Sequence, residues 1–164
     1  MMEIRLLRPE DADSIRKLRL EALLDSPESF GSSYEEEREY SLQKFQNRLE
    51  IGFTFGAFQD GKLIGMVTLI PDTKHKTRHK AHIFAMYVTP GLRGQGIGKK
   101  LVKEAIETAK QIDGIEQILL SVVTSNDGAK HLYLSLGFEI YGREKHALKI
   151  GDSYLDEEHM CLFL

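Results

Sequence analysis

Glycines at alternate positions, Gly94, Gly96 and Gly98, separate an apolar run ending at Val88 from a segment in which Ile97, Leu101, Val102, Ala105, Ile106, Ala109 and Ile112 recur at helical spacing. A strand that passes through Pro90-Gly91 into such glycines and then into a helix is a place to hold a phosphate. The first turn of a helix leaves main-chain N–H groups without partners at the positive end of its dipole, and positions without side chains open the approach to them.

Spacing narrows which phosphate ligand is meant. A P-loop requires a glycine five residues before its Gly-Lys-Ser/Thr; Arg93 stands there, and Lys100 replaces the hydroxyl residue that would meet magnesium. A dinucleotide fingerprint requires a third glycine at 99 or 101, where Lys99 and Leu101 stand. The pattern present is Arg93-x-x-Gly96-x-Gly98, preceded by Met86-Tyr87-Val88-x-Pro90. It resembles motif A of the GNAT N-acetyltransferases, whose loop carries the pyrophosphate of acetyl-CoA.

A second segment strengthens the resemblance. Asn126, Ala129, Tyr133, Gly137 and Phe138 follow the family's motif B, Asn-x-x-Ala-x-x-x-Tyr-x-x-x-Gly-Phe, at every position. Asn126 or Ser125 also suits a helix cap, with Ala129, Leu132, Tyr133 and Leu136 on one face and Gly137 as the stop. The resemblance is close from about Ala81 to Phe138 and rests on element order elsewhere.

The resemblance implies a donor site and a chemistry. Met86, Tyr87, Val88, Arg93, Gly94, Gln95, Gly96, Ile97, Gly98, Lys99, Asn126 and Tyr133 are expected to contact acetyl-CoA, with no metal. An alkyl amine must lose a proton before attack, at a cost of about 4 to 5 kcal/mol at pH 7. A main-chain N–H near Met86 to Val88 is expected to face the oxygen on which charge develops, and Tyr133 is expected to protonate the departing thiolate. Relatives often carry a glutamate six residues before the valine that precedes the loop; here that position is His82. Histidine is a capable base near neutral pH, and alternation predicts His82, Phe84, Met86 and Val88 on one strand face. Each role has a plainer alternative: Tyr133 as a core aromatic, Asn126 as a cap, His82 as a solvated strand start.

The remaining elements must position these groups. A first strand is expected over Met2 to Leu7, then a helix with Ile15, Leu18, Ala22 and Leu23 on one face, and a second helix from about Leu42 to Leu49. Asp60-Gly61 between Phe53–Phe58 and Leu63–Ile70 reads as a hairpin. A strand from about Ala81 to Val88, the glycine loop with its helix, and a strand over Ile115 to Val123 then make a parallel pair with a crossover. The expected fold is α/β (α+β): the GNAT fold, a mixed, mostly antiparallel sheet of six to seven strands with flanking helices, strands four and five parallel and splayed, in one domain spanning 1–164.

Composition is permissive. The 164 residues carry a net charge of −3, which points to neither nucleic acid nor an anionic membrane. No apolar stretch of spanning or signal-peptide type is present, so a cytoplasmic location is expected. The single cysteine, Cys161, lies in the apolar run Met160–Leu164 and reads as a packing residue. That final run leaves a homodimer open. The basic stretch Lys74 to Lys80 reads as a solvated loop. Glu35, Glu36, Glu37 and Glu39 read as a charged helix surface or a lure for a cationic amine, and Tyr154 to His159 as an acceptor-side segment or hairpin surface. The expected acceptor is a primary amine of a small molecule or peptide. Two alternatives stand beside it: an acyl-CoA-binding sensor without turnover, and a protein acetyltransferase acting on N-termini or lysines.

Overall fold

The computed structural model describes residues 1–164. Seven strands form one sheet: β1 (Met2–Leu6), β2 (Phe53–Gln59), β3 (Lys62–Pro71), β4 (Lys80–Val88), β5 (Gln117–Val123), β6 (Glu139–Ile150) and β7 (Ser153–Phe163). Their order across the sheet is β1-β2-β3-β4-β5-β7-β6, and only β4 and β5 run parallel. The five α-helices are α1 (Ala12–Asp25), α2 (Tyr34–Glu37), α3 (Leu42–Glu50), α4 (Ile97–Gln111) and α5 (Asp127–Ser135). The expected mixed sheet, hairpin and crossover are all present, and no helix is long and apolar enough to cross a membrane.

Helices cover both sheet faces, so the apolar residues divide into two cores. On one face α4 lays Ile97, Leu101, Val102, Ala105, Ile106 and Ala109 against Val67, Leu69, Ala81, Ile83 and Ile118, with Tyr133 and Phe138 closing the end. On the other, α1 and α3 set Ile15, Leu18, Ala22, Phe45 and Leu49 against Leu63, Met66 and Tyr87. Fully burying a side chain such as Leu101, which exposes 0% of its surface, contributes roughly 1.5–3 kcal/mol. Asp60 and Gly61 both take positive φ, the conformation the two-residue β2–β3 turn requires.

One expectation about charge is overturned. Glu37 is fully buried, and its carboxylate accepts two hydrogen bonds from Arg19 of α1, at 3.0 and 2.9 Å, and one from Arg48 of α3 at 3.0 Å. Its place is therefore inside the helical layer, tying α1, α2 and α3 together, and not on a charged surface or facing an acceptor. Although burial alone opposes its charge, the two guanidiniums hold Glu37 down at about 2. Cys161 is buried as expected, and burial pushes its thiol up.

Candidate active site

Strands β4 and β5 pair only at Lys80 with Gln117, Ala81 with Ile118 and His82 with Leu119. Beyond His82 they part. Within the opened stretch Ala85 adopts φ +58, and the β3 partners step from Thr68, opposite Phe84, to Met66, opposite Tyr87. Val67 thus faces two residues, Ala85 and Met86, which is a β-bulge.

The bulge corrects the predicted strand face. Ala81, Ile83 and Val88 share the core beneath α4, with Met86 packed against it, whereas Tyr87 belongs to the core beneath α1 and α3. Perfect alternation would have put His82, Phe84, Met86 and Val88 together. The extra residue at 85 instead turns His82 and Phe84 toward the α1–α3 side and Met86 and Val88 toward α4.

A cleft of about 1850 Å³ passes through this gap. Its walls come from both faces: Ile15, Phe30, Phe45 and Leu49 on one side, and Gly94, Gly96, Ile97, Gly98, Lys99, Asn126 and Tyr133 on the other. Met86, Tyr87, Val88, Arg93 and His82 also line it, so the cleft gathers every predicted site residue except Gln95.

On the α4 side the main chain is unusually open. None of the seven N–H groups from Arg93 to Lys99 donates a hydrogen bond within the protein; the first helical bond runs from Lys100 N to Gly96 O at 3.1 Å. Gly94 and Gly96 take φ +81 and +80, and a Cβ at either would meet nothing within 4 Å. A run of free donors at a helix N-terminus with clear space before it fits a phosphate or pyrophosphate. Gly98 serves a different purpose from its neighbours, since a Cβ there would come within 3.2 Å of Leu132 and 3.3 Å of Met86. It lets α4 seat closely against β4 and α5.

The side chain of Arg93 is already engaged. Its Nε donates to Val88 O at 2.7 Å, an Nη donates to Asp25 at 2.9 Å, and the guanidinium lies over the Tyr87 ring. Its main chain is free to meet a ligand, and the side chain, half exposed, keeps one Nη unpaired. Tyr87 donates its hydroxyl to Glu21 at 2.8 Å, and burial followed by that carboxylate drives its phenol upward. Asn126 caps α5, accepting from Ala129 N at 3.2 Å.

Tyr133 is 6% exposed, packs edge-on against Phe138, and its hydroxyl makes no hydrogen bond to another protein group. Burial alone pushes it up to about 12. It is therefore a neutral phenol across the physiological range, with its donor unspent.

The α1–α3 side carries the groups able to accept a proton. His82 sits at the apex of the splay with Nε2 3.1 Å from Asp72 and its ring stacked on Phe84. Past the apex, Ser121 of β5 is hydrogen-bonded to His159 Nδ1 of β7 at 2.7 Å, and His159 Nε2 lies 3.4 Å from Glu144 of β6. Glu157 lines the cleft beside them; burial, then the Glu144 charge, raises its carboxyl. Sequence reading marked the segment containing His159 but passed over Ser121 and Glu144. The signal was one polar residue interrupting the apolar run Ile118–Val123, whose partner the antiparallel register supplies.

Comparison with known proteins agrees with this geometry. A family model described as Acetyltransferase (GNAT) family matches residues 17–138. Spermidine N(1)-acetyltransferase of Escherichia coli (strain K12) is 28% identical over 104 residues, covering 63% of this chain and 54% of that protein. An uncharacterized N-acetyltransferase of Methanocaldococcus jannaschii is 32% identical over 151 residues, covering 89% and 62%. The chain thus spans between half and two thirds of the length of these relatives. Among solved structures, an acetyltransferase of the GNAT family from Streptococcus pneumoniae superposes over 100% of both chains with a TM-score of 0.86 at 25% identity.

Proposed function

The chain belongs to the acetyltransferase (GNAT) family, and from that premise we propose that it is an acetyl-CoA-dependent N-acetyltransferase acting on a primary amine of a small molecule or peptide. One observation carries the reading: the seven free N–H groups from Arg93 to Lys99 open into a cleft that continues through the sheet between β4 and β5. Acetyl-CoA supplies the thioester. Its pyrophosphate suits the main chain of Gly94 to Lys99, and Gly96 at the head of α4 takes the position of closest approach.

The chain's own groups divide the proton handling between the two sheet faces. An amine entering from the α1–α3 side must lose a proton there, and a thiolate leaving toward α4 and α5 must be stabilised there. Tyr133 serves the second need. Full transfer from a phenol at about 12 to a thiolate whose thiol titrates near 8.5 is uphill by about 5 kcal/mol. Its contribution is therefore a hydrogen bond to the developing sulfur charge, the phenol keeping its proton. Parting the two strands leaves main chain near the Ala85 bulge free of a β5 ladder, where an N–H is available to the thioester oxygen.

Free-thiol release from acetyl-CoA, measured with spermidine, an L-amino acid and an alanine-led peptide, tests the proposal. At least one acceptor should raise release well above the acceptor-free rate. Acetyl-CoA binding with no acceptor-dependent release would replace the enzyme with a sensor.

A further inference from the structure

Resting on the acetyltransferase reading, we infer that Ser121, His159 and Glu144 form a relay that takes the proton of the acceptor ammonium from the cleft to solvent. Ser121 stands two residues past Leu119, the last β5 residue paired with β4, so its hydroxyl lies on the opened part of the splay. It is solvent-exposed in the free protein and lines the cleft, as does His159. Antiparallel pairing sets Ser121 directly opposite His159, and Glu144 opposite Glu157 two residues away, which places all four on one sheet face.

The order of the groups gives the relay a direction. The Glu144 carboxylate, 3.4 Å from Nε2, favours the tautomer with the ring proton there, which leaves Nδ1 to accept from the Ser121 hydroxyl at 2.7 Å. As the ammonium N–H bond breaks, Ser121 Oγ takes that proton while its own passes to Nδ1, so serine stays neutral and histidine becomes imidazolium. Nε2 then releases its proton past Glu144, whose side chain is 55% exposed, leaving the neutral ring as its Nδ1–H tautomer, and proton exchange with water restores the Nε2–H form once the products leave and the cleft reopens. Bound reactants cover the inner end, whereas the Glu144 end stays at the rim.

The groups facing His159 favour that cycle. Ser121 approaches from β5, Tyr141 stacks on the ring from β6, Glu144 faces Nε2 from β6, and Glu157 lies two residues away on β7. Two carboxylates and no cation adjoin the imidazole, since Lys130 is paired with Glu158 at 2.7 Å and side-chain alternation turns Glu158 to the opposite face. His82 also faces a carboxylate, Asp72, but differs in position, being at the closed apex of the gap.

The test is the pH profile of kcat, using whichever of spermidine, an L-amino acid or an alanine-led peptide drives thiol release. His159→Gln and Ser121→Ala should each lower kcat about a hundredfold at pH 7 and abolish its acidic limb, with KM for acetyl-CoA within about twofold. Glu144→Gln should move that limb to lower pH, because the imidazolium loses a neighbouring negative charge. An unchanged limb in His159→Gln, its loss in His82→Gln alone, or acetyl-Ser121 seen by mass spectrometry would overturn the relay while leaving the acetyltransferase standing. No release by wild type with any acceptor, despite acetyl-CoA binding, would instead sink the enzyme and the relay together.

Discussion

His82 and Met86 lie four residues apart on one strand yet face opposite sides of the sheet, because Ala85 between them occupies the left-handed region at φ +58. Without that residue the strand would present both to the same helix layer, and the two halves of the cleft would lose their separate linings. A non-glycine residue held there costs of order 1–3 kcal/mol, so the surrounding sheet maintains the conformation against its preference.

Ala85→Gly should therefore keep the bulge and raise stability by about 1 kcal/mol, whereas Ala85→Val should lower it by at least about 1 kcal/mol and impair thiol release. Thermal unfolding of the two variants checks the sign. A valine variant as stable as the glycine variant would mean that the bulge carries no strain.

Gly96→Asp should weaken acetyl-CoA binding at least about tenfold, roughly 1.4 kcal/mol, by placing a carboxylate before the free N–H run at the head of α4. Gly96→Ala serves as the control for φ +80 alone, and its loss should be smaller. Calorimetric titration with acetyl-CoA distinguishes charge from backbone strain.

Tyr133→Phe should lower kcat about a hundredfold with little change in acetyl-CoA affinity. The hydroxyl makes no hydrogen bond to another protein group, so its removal leaves no broken partner and the fold should hold. Unchanged turnover at saturation would assign Tyr133 to packing alone.

Acid stability should depend on Glu37. Its folded-state value of about 2 lies below the unfolded value near 4.5, so the stabilisation is fully present above that unfolded value and is lost as pH falls through it toward 2. The loss should be on the order of 2–3 kcal/mol. Denaturant unfolding across that window checks it: Glu37→Gln should flatten the acid dependence and already be destabilised at pH 7, where Arg19 and Arg48 are left without their charge partner.

The donor half of the cleft was legible in the sequence because local rules specify it. Three glycines, a strand before them and a helix after them are neighbours in the chain, and Asn126 to Phe138 is one contiguous segment. The α1–α3 half was not, because it is assembled from distant strands. Ser121 and His159 meet only through the β5–β7 register, and Glu144 joins through the β6–β7 hairpin, whose own register shifts cannot be read from alternation. The bulge at Ala85 was hidden for the same reason: alanine carries no sequence mark of a left-handed backbone. Glu37 misled because a run of glutamates looks solvated, and only the approach of Arg19 and Arg48 from other helices makes burial of one of them tolerable.

A cleft that perforates the sheet has two mouths, and that constrains traffic as well as chemistry. In the reaction proposed above nothing obliges one reactant to wait for the other, because acetyl-CoA and the amine would each have a separate doorway. On that reading the acetylated product leaves by its own side while spent coenzyme remains seated. For the acetyltransferase proposed above, steady-state patterns with intersecting lines are the expected kinetic imprint of two strands that stop pairing after His82.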